Sequence, residues 1–198
     1  MAVVLNPLPT AVFYAVLACW VLFVATFLFR KKLPKTAERK RASVSRWGIA
    51  LQGLSFAAVW SIHRQYFTPL APMPKWFEIM LAIVTVAMAA ASVWICLAAV
   101  RALGKQWAIV ARVVEGHKLV TEGPYRRVRN PIYLGTFGML LATGFAVSRW
   151  WILPVAAAVF LTGNRIRVRS EEKLLRESFG AEFEVYAQRV PAMFPRLF

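Results

Sequence analysis

Negative charge is scarce in this sequence, which contains no aspartate and nine glutamates against 25 lysines and arginines. Cysteine is scarce as well, and its two residues, Cys19 and Cys96, lie inside apolar runs. They lack the spacing of a metal site or a disulfide framework, so no metal is predicted as a cofactor. The glycine spacings GxxxxGKS/T and GxGxxG are also absent, which excludes the two common glycine-rich phosphate loops.

Hydrophobic residues are abundant, at 59% of 198 residues, and a soluble domain is rarely so apolar. The net charge of +16 could belong to a nucleic-acid-binding surface or to the cytoplasmic loops of a membrane protein. Five uncharged runs favour the membrane protein, because the longest reach the roughly 20 residues that cross a bilayer. These runs are residues 8–29, 47–62, 79–100, 131–148 and 150–164.

We therefore predict an all-α integral membrane protein with about five transmembrane helices, of which the last two form a hairpin. The alternative is four crossings, with residues 131–164 partly re-entrant. The first run is expected to be a true helix rather than a signal peptide, because cations follow it and do not precede it.

The cations are distributed unevenly between the loops. Residues 30–46 carry eight, residues 101–129 carry seven and the tail from Arg165 carries seven, whereas the two intervening loops carry two and one. This alternation predicts an N-terminus outside and a C-terminus in the cytoplasm. Nucleic-acid binding does not explain the alternation, so no nucleic-acid partner is expected.

The polar residues concentrate in the second half of the chain. We predict a transmembrane anchor of three helices in residues 1–100 and a catalytic region in residues 101–198. The two would form a single structural unit, because membrane helices must pack together. The catalytic region would contain a cofactor loop, the helical hairpin and an amphipathic tail at residues 170–190, with a break at Gly180.

Three polar clusters fall on the predicted cytoplasmic side, at residues 115–133, 165–172 and 186–191. Arg167 and Glu171 are four residues apart, so they can pair on one helix face. A paired charge near the membrane boundary is expensive unless it is used, which favours a functional role. Arg165 and Arg169 are better explained by contact with lipid head groups.

The first cluster joins a loop to a helix. Two glycines bracket Leu119 and Val120, and glycine allows a loop backbone to approach a ligand. Pro131 suits the first turn of a helix, where its missing N–H costs nothing. Asn130 is then a candidate N-cap.

Together the clusters contain the segments GHKLVTEGPY, RNPIY, RSEE, FGAEFEVY and RVP. Over about residues 101–198 this combination resembles the isoprenylcysteine carboxyl methyltransferases and, more broadly, the membrane methyltransferases that include phospholipid N-methyltransferases. Two positions depart from the family's pattern, since Asn130 stands where the family usually has His and Phe183 where it often has Tyr. Asn cannot carry charge, so hydrogen bonding to the cofactor or helix capping is the role expected of Asn130.

The resemblance implies a site for S-adenosyl-L-methionine at the cytoplasmic helix ends. Arg167 and Glu171 would be catalytic, with Arg167 holding the acceptor's carboxylate and Glu171 acting as a base for an amine or thiol acceptor. Carboxylates favour the cofactor's ammonium and sulfonium groups, and Arg or His favours its carboxylate. The implied cofactor-binding residues are His117, Leu119, Val120, Tyr125, Arg129, Asn130, Pro131, Tyr133 and Glu172.

The implied reaction is methyl transfer to a lipophilic or prenylated acceptor that enters from the bilayer, and membrane lipids are expected partners. In the resembled family the acceptor is an isoprenylcysteine carboxylate. The alternatives are a phospholipid amine and a small lipophilic thiol or amine. A sterol-type membrane reductase is less favoured, because such enzymes have more helices and bind a larger nicotinamide cofactor. A transporter or scaffold would carry charges at mid-membrane depth, and this chain has almost none.

Overall fold

The computed structural model describes residues 6–28, 40–41, 45–104, 112–113 and 119–194. Within them a short 3-10 helix, Gly123–Arg126, precedes the fourth α-helix, and two short strands, β1 Lys40–Arg41 and β2 Arg112–Val113, pair antiparallel. The α-helices are α1 Pro7–Leu28, α2 Ser45–Ser61, α3 Lys75–Leu103, α4 Pro131–Val147, α5 Ile152–Phe179 and α6 Ala181–Arg189.

The five uncharged runs form helices α1 to α5, which confirms the helical class for the described residues. Two of these helices, α1 and α3, are long and apolar enough to cross a membrane, and α4 is apolar but shorter. The number of spans and their orientation stay predictions.

Helix α5 continues well past its uncharged run and carries Arg167 and Glu171 beyond residue 164 on the same helix. It ends at Gly180, whose φ of 50° is a left-handed conformation that glycine adopts without steric cost. Helix α6 follows at once, so the predicted break at Gly180 is confirmed. Phe183 of α6 is fully buried against the rest of the molecule.

Helices α4 and α5 are joined by a short turn at residues 148–151, as the predicted hairpin requires, but they pack mainly on other helices. Helix α4 lies against α3, α5 lies against α2, and α1 lies against α3. The approach of α4 to α3 is close, because a Cβ atom at Gly135 would lie 2.9 Å from the carbonyl oxygen of Ser92. Small residues permit such contacts between membrane helices. The core includes Val16, Val59, Met139, Leu140 and Phe160.

The C-terminal end of α4 is capped by Arg64, which follows α2. Its guanidinium donates to the carbonyl oxygens of Phe145 at 3.1 Å, Ala146 at 2.7 Å and Ser148 at 2.8 Å. These carbonyls belong to the end of a helix, where a cation is also favoured by the helix dipole. Burial lowers the pKa of Arg64 to about 10, so the side chain stays protonated at neutral pH. In the sequence, Arg64 is one of the two cations in the loop between the second and third uncharged runs, and nothing in the local pattern predicts this capping role.

Candidate functional site

The start of α4 lies beside the segment that follows α6. Pro131 occupies the first turn of α4, as predicted. Asn130 occupies the N-cap position, but its side chain makes no capping hydrogen bond. Its Nδ2 instead donates to the carbonyl oxygen of Ala192 at 2.8 Å. The predicted capping role of this side chain is therefore wrong, because the tail brings a carbonyl within reach of the amide.

Arg129 joins three separate parts of the chain. Its guanidinium contacts Glu172 of α5, with 2.9 Å from Nε and 2.8 Å from Nη2 to the same Oε1. Nη1 donates to the carbonyl oxygens of Ala187, at 2.8 Å, and of Val190. The backbone N–H of Arg129 donates to Pro191 O at 2.9 Å. The Arg129–Glu172 pair thus ties the start of α4 to α5 and to the end of α6.

A second polar cluster lies next to this pair, since Glu171 and Glu172 are neighbours in α5. Tyr133 of α4 donates its hydroxyl to Glu171 Oε1. Arg167 Nη2 lies 3.6 Å from the same oxygen, which confirms the predicted pairing of Arg167 with Glu171. The guanidinium carbon of Arg167 lies 4.8 Å from the centroid of the Tyr133 ring, within cation–π range.

Gln52 of α2 completes this second cluster. Arg167 Nη1 donates to Gln52 Oε1 at 3.0 Å, and Gln52 is 7% exposed. We refer to Gln52, Tyr133, Arg167 and Glu171 as the Arg167 cluster. Sequence reasoning missed Gln52, although one signal was available. It is the only side-chain amide in the uncharged run 47–62.

Burial controls the ionisation of the groups near these clusters. It raises the pKa of Glu171, while Arg167 and the hydroxyl of Tyr133 act in the opposite direction. Burial also raises the pKa of Tyr125 well above its usual value, and that of Tyr186 to about 12. The Tyr186 hydroxyl donates to Tyr125 O at 2.8 Å, which joins α6 to the 3-10 helix.

The structure thus brings most of the predicted site residues to one end of the helices. Arg129 and Glu172 contact each other, Tyr133, Arg167 and Glu171 contact one another, and Tyr125 is buried in the adjoining 3-10 helix. Leu119 and Val120 are half-buried in the segment leading to that helix. His117 lies outside the described residues.

The family assignment rests on a segment that contains these clusters. A sequence model of the phospholipid methyltransferase family matches residues 80–182, from α3 into α6. The chain belongs to this family. The matched segment includes Arg129, Tyr133, Arg167, Glu171 and Glu172, whereas Gln52 of α2 lies outside it.

Curated relatives match half of the chain or less. The nickel-cobalt-cadmium resistance protein NccN of Alcaligenes xylosoxydans xylosoxydans is 36% identical over 98 residues, which cover 48% of this chain and 45% of the relative. Protein-S-isoprenylcysteine O-methyltransferase B of Arabidopsis thaliana is 37% identical over 91 residues, 44% of each chain. Protein-S-isoprenylcysteine O-methyltransferase of Schizosaccharomyces pombe is 33% identical over 79 residues, 40% of this chain and 34% of the relative.

The chain thus spans about half or less of the length of the curated relatives it matches. The family match and the named relatives confirm the resemblance to the isoprenylcysteine methyltransferases that the motifs predicted.

Proposed function

We propose that this chain is a membrane methyltransferase that transfers a methyl group from S-adenosylmethionine to a lipophilic acceptor, in particular a carboxylate of the isoprenylcysteine type. The observation that carries the proposal is the Arg167 cluster, which lies beside the Arg129–Glu172 pair. All of these residues except Gln52 belong to the segment that matches the family. The names of the plant and yeast relatives support a carboxylate acceptor.

The residues at this end of the helices fit the cofactor chemically. When bound, S-adenosylmethionine supplies a methyl group on a positively charged sulfur. Glu172 and Glu171 offer carboxylates that favour its positive groups, and Arg129 offers a cation that favours its carboxylate. Both clusters are largely buried, with side-chain exposures of 12% and 10% for Arg129 and Glu172. Ion pairs and hydrogen bonds are stronger in such an environment than in water.

Arg167 is the residue proposed to hold the acceptor. A carboxylate is already ionised at neutral pH, so its oxygen can attack without losing a proton. The chain's contribution is then to position that oxygen and to exclude water. Glu171 and Tyr133 would keep the Arg167 side chain in place, the first by charge and the second by its hydroxyl and ring face.

The proposed topology has five spans, with the N-terminus outside and the site at the cytoplasmic face. Large apolar side chains exposed along α1 and α3 support contact with lipid. They include Val21, Leu22, Leu28, Ile83 and Trp94. A lipid tail could then reach the site from the bilayer, while the cofactor enters from the cytoplasm.

A phospholipid amine is the second candidate acceptor, and Glu171 is the observation that favours it. An amine must lose a proton during methylation, so a base is needed. Burial raises the pKa of Glu171 toward the range in which a carboxylate can serve as that base. The same residue would assist a small lipophilic thiol.

Calorimetry of the full chain in detergent with S-adenosylhomocysteine tests the proposal. We expect saturable binding, and its absence from a folded sample would sink the proposal. The Arg167→Ala variant should bind this ligand normally but lose methyl transfer to N-acetyl-S-farnesylcysteine. Glu172→Ala should weaken binding itself. Arg165→Ala is the matched control, because Arg165 is exposed on the same helix two residues from Arg167. It should keep both properties.

A further inference from the structure

Helices α2 and α5 approach each other unusually closely next to Arg167. A Cβ atom at Gly163 would lie 2.8 Å from Gly48 O, and one at Gly48 would lie 2.6 Å from Gly163 O. The same Cβ atom at Gly48 would also collide with the side chain of Arg167. The two glycines therefore bring the backbones into contact and make α2 a wall of the site. Helix α2 precedes the segment matched to the family.

Gln52 lies one helical turn beyond Gly48, on the face of α2 that meets α5. Its Oε1 accepts the hydrogen bond from Arg167 Nη1 at 3.0 Å. A guanidinium can only donate hydrogen bonds, so the oxygen of the amide must face Arg167 and the nitrogen must point elsewhere. That nitrogen, Nε2, is buried and has no hydrogen-bond partner among the described residues. A buried donor without a partner is costly to fold.

The unpartnered Nε2 of Gln52 and the adjacent Arg167 guanidinium together favour one class of ligand. An anionic oxygen, such as that of a carboxylate, would accept a hydrogen bond from the unpartnered N–H of Gln52 and would be attracted by the Arg167 guanidinium. An ammonium group would offer the amide no acceptor and would be repelled by the guanidinium. A neutral amide or ester lacks the charge that Arg167 favours. Among the candidate methyl-accepting groups, which are a carboxylate, an amine and a thiol, the carboxylate is the one that satisfies both side chains.

We propose that Gln52 is an acceptor-binding residue, whose Nε2–H together with the Arg167 guanidinium holds the carboxylate of the methyl acceptor. This inference rests on the proposed function and deepens it. It assigns part of the selection of the acceptor to α2, outside the segment that the family shares. Through its Oε1, Gln52 also fixes the orientation in which Arg167 meets the acceptor.

The test compares the binding of N-acetyl-S-farnesylcysteine with that of its uncharged carboxamide, for the full chain in detergent saturated with S-adenosylhomocysteine. Wild type should prefer the acid by about tenfold or more, as expected for a charge-assisted hydrogen bond. Gln52→Glu keeps an oxygen for Arg167 but replaces the N–H donor by a carboxylate. It should abolish or reverse the preference. Gln52→Leu removes both contacts and should reduce it.

Ser55→Ala is the matched control. Ser55 lies on the same helix and is 1% exposed. Its hydroxyl donates to the backbone carbonyl oxygen of Gln52 at 2.7 Å and so does not involve the Gln52 side chain. This variant should keep the wild-type preference. Folding of each variant is checked by its affinity for S-adenosylhomocysteine. If Gln52→Leu fails this check, Gln52→Glu, which is equal in size to the native residue, carries the test.

The outcomes separate this inference from the proposed function. A folded wild type that does not bind S-adenosylhomocysteine overturns the proposed function and the inference with it. If the wild-type protein binds this ligand but binds the acid and the carboxamide with equal affinity, the inference alone is overturned. A Gln52→Glu variant with the wild-type preference overturns it as well. A further outcome would also reject the inference, in favour of an amine acceptor. This outcome is that the protein methylates phosphatidylethanolamine in vesicles and that Gln52→Glu does not change the rate.

Discussion

Partly buried arginines lie at both ends of α4, and their hydrogen-bond partners differ in kind. At the C-terminal end, Arg64 donates to backbone carbonyls at the end of α4 and to Thr68 O. At the N-terminal end, Arg129 contacts Glu172, and Arg167 contacts Glu171. One end of the helix uses neutral acceptors that belong to the backbone, and the other uses ionisable side chains.

The difference indicates which end can bind a ligand. Backbone carbonyls neither titrate nor move away from the helix, so the hydrogen bonds of Arg64 stabilise the fold. Carboxylate side chains can titrate and exchange partners, so the Arg129 and Arg167 end can respond to a charged ligand. Substitutions at the two ends should therefore separate stability from binding.

The largest expected effect is at the Arg129–Glu172 pair. Arg129→Met leaves the buried Glu172 with the more exposed Arg176, whose Nη2 lies 3.6 Å from Oε2, and it removes the donor to the carbonyls of Ala187 and Val190. The free energy of unfolding should fall by about 3 kcal/mol. The double variant Arg129→Met/Glu172→Leu should recover part of that loss, because an apolar pair can replace a buried ion pair, but the two carbonyls still lack their donor. The double variant should still fail to bind S-adenosylhomocysteine. Unfolding in detergent measures the stability, and calorimetry measures the affinity for S-adenosylhomocysteine. Wild-type affinity in the double variant would show that the pair has only a structural role.

Arg64→Met tests the opposite end. Leaving the end carbonyls of α4 without their donor should lower the free energy of unfolding by about 2–3 kcal/mol. The affinity of the folded protein for S-adenosylhomocysteine should stay within about twofold, since distant sites contribute independently. A large loss of affinity at unchanged fold would contradict the contrast between the two ends.

Tyr133→Phe sharpens the role of the Arg167 cluster. The hydroxyl of Tyr133 stabilises the ionised form of Glu171, so its removal should raise the pKa of Glu171 further. If ionised Glu171 holds Arg167, activity should fall and its acid limb should move to higher pH. The profile of kcat/KM between about pH 5 and pH 8 measures this shift. An unshifted limb with lower activity would remove Glu171 from the mechanism.

Asn130→Ala should have a smaller effect. It removes the hydrogen bond to Ala192 O and should lower the free energy of unfolding by about 1 kcal/mol. Asn130→His restores the residue usual in the resembled family and a ring N–H that can donate to the same carbonyl. We expect it to be closer to wild type than Asn130→Ala in thermal unfolding. The reverse order would show that the imidazole does not fit beside the tail.

The smallest effect is expected for Tyr186→Phe. The pKa of Tyr186 is raised from 10 to about 12, so the neutral hydroxyl is favoured in the folded protein. Its contribution to stability is fully present below the unfolded pKa and is lost as the pH rises through the folded value. The variant should be slightly less stable than wild type at neutral pH, and the two unfolding curves should converge near pH 12. Parallel curves would reject this assignment.

Local patterns predicted much of the fold. The uncharged runs identified α1 to α5, Gly180 marked the break before α6, and the spacing of four residues identified the Arg167–Glu171 pair. These features depend on residues that are close in the chain, where periodicity and charge are informative. The prediction that the Asn130 side chain caps α4 failed because its partner, Ala192, is remote in the chain.

The sequence by itself determined a basic, apolar, helical chain whose polar motifs identify a methyltransferase family. Only the tertiary structure decided which of those polar residues meet. Arg129 pairs with Glu172 across 43 positions, and Arg167 contacts Gln52 across 115. Such pairs arise from helix packing, here from the contact of α2 and α5 at Gly48 and Gly163. The local spacing of residues does not predict that contact, because the contact depends on how whole helices pack together.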